Sequence, residues 1–195
     1  MGKILLVVVV TLIAAVAGLP FWFGMQAESA YEAMLASTTQ NGDLSVTQNK
    51  FERGWFESTA DTTFTLASAP VTISVLHRIS HGPLPLDDDF QLQPLLARAK
   101  SQISIGLPGG AVKLPTMTAK TNVYLAGNSS TRLDMPPYTK ATPKAGETEP
   151  FDLEWKGMSG EFSLSADYKN LKGEMNAPAL GFSFQDGSFV LTKIN

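Results

Sequence analysis

The chain contains no cysteine, which removes disulfides, thiolate metal sites and cysteine nucleophiles together. It has only two histidines, His77 and His81. Four residues apart on a strand, they share a face but stand about 13 Å apart, too far for one metal ion. Motifs of nucleophile elbows, phosphate loops and zinc peptidases are missing. Asp87-Asp88-Asp89 lacks the alternating oxygen ligands and the glycine of a calcium loop and reads as a solvated acidic turn. No cofactor is therefore expected. Clustered basic residues are also lacking. The formal net charge is -3 and the pI about 5.4, which argues against nucleic acid as a partner.

Charge is absent between Lys3 and Glu28. The run from Ile4 to about Met25 is apolar throughout and just reaches the roughly 20 residues a bilayer core requires. Lys3 is the only cation before it, so positive-inside bias leaves the N-terminus in the cytoplasm and exports the body. Two fates compete. Ala15-Val16-Ala17 resembles a cleavage site after a short apolar core. Against cleavage, Leu19, Phe21, Trp22 and Phe23 continue the apolar character and suit a membrane interface. The expectation is an uncleaved anchor over 1–26, since a core helix should show a polar face.

From Ala27 the pattern is helical to about residue 40, with Tyr31, Met34 and Leu35 at i, i+3, i+4, as a continuation of the membrane helix or a second helix joined to it. Asn41-Gly42-Asp43 ends it. Residues 41–195 then read as strands. Val71, Ile73, Val75, His77 and Ile79 alternate with Thr72, Ser74, Leu76, Arg78 and Ser80, placing His77 on an apolar face as a core residue. Residues 87–98 read as short helical or irregular structure, Gln102 to Leu107 and Met117 to Leu125 as strands, and Pro136 to Pro150 as a mobile loop. The last part is an antiparallel meander: Phe162, Leu164, Ala166, then Leu171, Met175, then Phe182, Phe184, then Phe189 and Leu191 after an Asp186-Gly187 hairpin turn. The fold class expected is mainly β, a twisted antiparallel meander or sandwich-like body behind an N-terminal membrane helix.

Phe51-Glu52-Arg53-Gly54-Trp55-Phe56-Glu57-Ser58, followed by His81-Gly82-Pro83-Leu84-Pro85-Leu86, resembles the paired signature of the YdgA-like family, bacterial proteins of unknown function (domain of unknown function 945). The apolar start, Tyr31 in a helix and the stretch Gly160 to Asp167 are similar too. The resemblance implies a Gram-negative inner-membrane, single-pass anchor with a β-rich periplasmic body, and no reaction. Members are generally longer, so it implies a short or truncated member.

The motif positions Arg53, Gly54, Trp55, Phe56, His81, Gly82 and Pro83 are expected to be structural: Gly54 where a side chain cannot fit, Trp55 buried, Arg53 and Glu57 a surface ion pair. The function expected is non-enzymatic, with Phe162, Leu164, Phe182, Phe184, Phe189 and Leu191 as a candidate apolar binding face for lipid or a partner. A second sheet from Leu44 to Leu125 could cover that face. The alternatives are a scaffold pairing its sheet edges with another envelope protein, and a hydrolase using His81 with a nearby Ser or Asp.

Overall fold

The computed structural model describes residues 18–33, 35–36, 42, 44–68, 71–85, 87, 93–106, 114–140, 151–167, 169–184 and 187–194. The first seventeen residues of the expected membrane segment, the Asp88-Asp89 pair, residues 141–150 and Asp186 lie outside them.

Helix α1 spans 18–33. It passes without a break through 26/27, so the stretch from Ala27 continues the preceding helix, one of the two arrangements expected. Phe23, Ala27 and Tyr31, spaced i, i+4, i+8, are buried, and so is Leu35 beyond them. That spacing is one stripe of a helix laid on an apolar surface. Residues 18–26, expected in the bilayer, thus belong to the helix that packs on the sheet. A helix apolar on all sides can be buried by lipid or by protein, and hydropathy does not tell the two apart. No helix among the described residues is long and apolar enough to cross a membrane.

The rest is antiparallel sheet: β1 Leu44–Arg53, β2 Glu57–Leu66, β3 Thr72–His81, β4 Leu95–Gly106, β5 Met117–Tyr124, β6 Ser129–Met135, β7 Tyr138–Lys140, β8 Phe151–Trp155, β9 Met158–Leu164, β10 Leu171–Phe184 and β11 Gly187–Ile194. They form one sheet in the order β1-β2-β3-β4-β5-β6-β9-β10-β8-β7, with β11 on β10. The order conceals a simple meander. Met135 pairs with Met158 and Tyr138 with Trp155, so β6–β7 and β8–β9 keep one register across their gaps. Ser159 pairs with Asn176 and Trp155 with Leu180, so β10 runs alongside both β9 and β8. Each gap is a kink in one long strand.

The kinks line up. Pro136, Gly157 and Pro178 occupy facing positions on three adjacent strands, as the unbroken registers require. Two prolines lack a ladder donor, and Gly157 has φ 90°, so the ladder is interrupted along one crease. The apolar pattern changes parity there. On β10, Leu171 and Met175 are odd-numbered while Phe182 and Phe184 are even-numbered. A strand alternates with period 2; of the expected single face, Phe162 and Leu164 are half-buried, while the side chains of Phe182, Phe184, Phe189 and Leu191 lie outside the described residues. Phe162 and Leu164 are in register with Gly173 and Leu171. Phe182 is in register with Leu153 and Phe189, and Leu180 with Leu191. Ala166 falls outside both, in the exposed turn after β9. Phe184 pairs with Gly187, so Gly187 of the expected Asp186-Gly187 turn is the first residue of β11, and Asp186 lies outside the described residues.

Three further expectations shift. β4 starts at Leu95, within the stretch read as helical or irregular. Tyr138–Lys140, inside the expected loop, is strand. The sandwich is not formed among the described residues: strands make substantial contact only with hydrogen-bonded neighbours, so Leu44 to Leu125 lies edge to edge with the later strands instead of over them.

Registers place one apolar row across the sheet from β1 to the first half of β10. Phe51, Ala60, His77, Ser101, Ala119, Leu133, Gly160 and Met175 are successive partners. The neighbouring row, Ser58, Ile79, Ala99, Thr121, Thr131, Phe162 and Gly173, is uncharged and mixes apolar residues with hydroxyls. Residues on the opposite face are mostly charged or hydroxylic. Helix α1 covers the apolar rows over β1–β4. Both buried clusters lie there: Ala27, Ile79 and Ala97 with Phe51, Leu96 and Ala99, and Tyr31, Leu35 and Ala60 with Val46, Phe51 and Phe64.

Candidate functional site

The two motifs and the start of α1 meet at one end of the sheet. The β1–β2 turn carries Gly54, Trp55 and Phe56, and the end of β3 carries His81, Gly82 and Pro83. His81 ties them together. Its backbone N–H donates to the Phe56 carbonyl at 2.8 Å. Its ring bonds Ser58 Oγ at 2.9 Å through Nε2 and the Trp55 carbonyl at 3.1 Å through Nδ1. The Pro20 carbonyl also bears on the ring. Helix α1 crosses close above, where a Cβ on Gly24 would stand 2.6 Å from His81 Cε1. A side chain at Gly54 would collide with the Glu57 carbonyl, and one at Gly82 with the Leu95 carbonyl. Gly54 N–H donates to Glu57 O and Gly82 N–H to Leu96 O, at 3.0 and 2.8 Å. The backbone approaches seen here leave no room for larger residues.

Arg53 departs from its expected pairing. It binds Glu28 of α1 at 2.6 Å, and its guanidinium lies 5.2 Å from the centroid of the Phe21 ring. Glu57 instead pairs with Arg78 at 3.4 Å. Trp55 also departs: it is 51% exposed, and its ring meets Phe21 at 5.2 Å between centroids. The β1–β2 turn carries it past the sheet end instead of under the helix. Trp55→Ala should therefore cost only about 0.5–1.5 kcal/mol, the scale of one aromatic pair, in a denaturant melt of the purified chain. A loss of 3–5 kcal/mol would mean a buried ring.

Ser58, His81 and the Trp55 carbonyl form a hydroxyl, a ring and an orienting acceptor in line, the ingredients of a serine nucleophile. Ser58 is 1% and His81 2% exposed, so no substrate carbonyl can reach Oγ in this arrangement, and the bonds serve to hold β2, β3 and α1 together. His77 bonds Ser101 Oγ at 2.7 Å and receives the edge of Tyr31.

Burial pushes both imidazoles below their ordinary titration range. For His81, hydrogen bonds to the Trp55 and Pro20 backbone and the charge of Glu57 pull partly back, while Arg53 pushes the same way as burial. A depressed histidine pKa in the fold means the unfolded chain takes up a proton first as pH falls. Stability should be flat above the ordinary histidine range near 6.5 and decline below it. The melting midpoint should drop between pH 7.5 and 5.5, and the drop should shrink in a His77→Gln, His81→Gln variant.

A second buried polar cluster gave no signal in the sequence. Arg98, 1% exposed at the side chain, bonds Asp87 at 2.7 Å and Asn122 at 2.9 Å, and Lys100 lies 3.6 Å from Asp87. Asp87, read as a solvated acid, is 7% exposed at its side chain. Beyond α1 the apolar rows continue over β5, β6, β9 and β10 through Met117, Val123, Leu133, Phe162, Leu164, Leu171 and Met175, which are half-buried or exposed, with Leu171 at 68%. Among the described residues no three acidic or histidine side chains converge as metal ligands.

In comparisons with known proteins, residues 1–195 match the family model described as a bacterial protein of unknown function, DUF945. No curated protein and no solved structure matches the chain.

Proposed function

The chain belongs to this DUF945 family of bacterial proteins of unknown function, membership that brings no activity with it, and we propose that it is a membrane-tethered, non-enzymatic envelope protein whose uncovered apolar sheet face holds lipid acyl chains. The observation that carries the reading is the continuity of the apolar rows past the end of α1's cover. Burying one Phe or Leu is worth about 1.5–3 kcal/mol, so a face bearing Met117, Leu133, Phe162, Leu164, Leu171 and Met175 gains from an apolar occupant. Acyl chains suit it because the rows are long, narrow and free of charge, while the opposite face is polar. Over β1–β4 the protein supplies its own occupant, the Phe23–Ala27–Tyr31 stripe.

The apolar run from Ile4 and the lone Lys3 support an N-terminal tether in the inner membrane with the body in the periplasm. The burial of Ser58 and His81 supports a non-catalytic role. A scaffold role through sheet edges is weaker on the β1 side, where the register shifts between Val46 and Gln48. Such a bulge blunts an edge against pairing.

The test is saturable binding of a fluorescent polyene fatty acid to the full chain. Leu133→Glu and Leu164→Glu, introduced together, should weaken it by about tenfold or more, since a carboxylate on the face must be desolvated. Equal binding by the charged variant, or none by the parent, would overturn the reading.

A further inference from the structure

The end of the sheet where α1 begins carries a group of exposed large apolar side chains. Leu19 and Trp22 project from the first turns of α1, at 42% and 47% exposure. Trp55 and Phe56 project from the β1–β2 turn, at 51% and 46%, and Leu84 from the segment after β3. The start of α1, the β1–β2 turn and the end of β3 that carry them meet through the contacts around His81. Phe21 meets Trp55, His81 N–H bonds the Phe56 carbonyl, and Leu84 lies three residues past His81. Nearby charges are spent in pairs, Arg53 with Glu28 and Arg78 with Glu57.

We propose that Leu19, Trp22, Trp55, Phe56 and Leu84 form a seat that rests in the headgroup layer of the bilayer, so that the body stands flush on the membrane with no free linker. The proposal rests on the membrane-tether reading above and adds how the body is oriented and held. Two features of the chain select a bilayer as the occupant. First, the apolar segment that would enter the membrane leads directly into this patch at Gly18. Second, that segment is short. The residues from Ile4 to Ala17 would span only about 21 Å as a helix, against a hydrocarbon core of about 30 Å. The missing length is about six residues, which reaches Phe23, the first residue of α1's packed stripe. Completing the span takes the helix into the core as far as Phe23, which puts Leu19 just inside the core and Trp22 at its edge, and brings Trp55, Phe56 and Leu84 down to the membrane surface. Tryptophan favours that depth because its ring is apolar and its N–H is a donor.

The arrangement gives the apolar rows a direction. They start beneath α1, whose first turn is at the bilayer surface, and cross the sheet from β1 towards β10. An acyl chain drawn from the outer side of the bilayer would meet the body at the seat.

The test uses the full chain reconstituted in phosphatidylcholine vesicles, with Trp22→Phe and Trp155→Phe leaving Trp55 as the one indole. Lipids brominated near the headgroup should quench Trp55 about twofold or more strongly than lipids brominated near the chain ends, as interfacial depth requires, and aqueous iodide should quench it weakly. If this variant does not fold, the difference between the parent and Trp55→Phe supplies the same readout. A chain that floats with the vesicles while Trp55 is quenched by iodide and not by bromolipid would overturn the seat and leave the tether standing. Quenching from both depths equally would also overturn it. A chain that does not float with the vesicles would overturn the tether, and the seat with it.

Discussion

Tyr31→Ala should destabilise the folded chain by about 3–5 kcal/mol, the usual cost of removing a buried aromatic ring, which for a chain of this size lowers the melting midpoint by about 6–20 °C. The ring is 7% exposed and lies between Phe51, at 5.4 Å, and the edge of His77, at 5.8 Å. Its hydroxyl shares a hydrogen bond with Thr62 Oγ1 and reaches Asn49 Oδ1 at 3.4 Å. Thr62 is fully buried and would keep only its bond to Asn49, at 3.2 Å. The substitution therefore opens a cavity and strips a buried hydroxyl together, at the centre of the contact between α1 and β1–β3. Tyr31→Phe isolates the second effect and should cost about 1 kcal/mol. Guanidinium melts followed by circular dichroism separate the cases. A Tyr31→Ala variant that melts like the parent would mean that α1 is not held on the sheet in solution.

Asp87→Ala should be comparably severe, about 3–5 kcal/mol, because it takes one partner from a buried ion pair and leaves the other charge inside. Arg98 would retain Asn122 but lose the Asp87 carboxylate at 2.7 Å, and Lys100 would lose the same carboxylate at 3.6 Å. Replacing both partners together, Asp87→Leu with Arg98→Met, should restore most of the loss, since apolar groups of similar volume need no charge compensation. A double variant no better than Asp87→Ala alone would show that the pair is not what stabilises this part of β4. The effect should persist in high salt, because a pair this buried is screened little.

Much of the sheet was legible in the residues. Alternation in Val71 to Ser80 marked β3 and its apolar face, including His77, because a half-buried strand repeats every two residues. The meander also followed from successive one-faced strands with short connections. Two features were harder. The start of α1 carries apolar residues on every side, and what covers them is decided by tertiary packing that no local pattern encodes. The interruption near Pro178 is written in the phase of the apolar residues. Leu171 and Met175 are out of phase with Phe182 and Phe184, with Pro178 between them, and phase is what assigns a face. Of the candidate site, Gly54 stands where a Cβ would meet the Glu57 carbonyl, while His81, read as turn structure, is the last residue of β3. Trp55 is exposed where a buried ring was expected, since an aromatic residue in a turn is apolar by composition whichever way the turn carries it. Arg98 and Asp87 left no pattern, because a buried ion pair joins residues whose closeness only the folded chain creates.

The central claim is that the apolar rows left uncovered by α1 are occupied by lipid. A photoreactive phenylalanine analogue placed at Leu133 or Met175 of the full chain, activated in intact cells, tests it directly. Lipid adducts at both positions, and none at Asp134 on the opposite face, are the predicted result. Adducts only to a second protein or to this chain itself would contradict it.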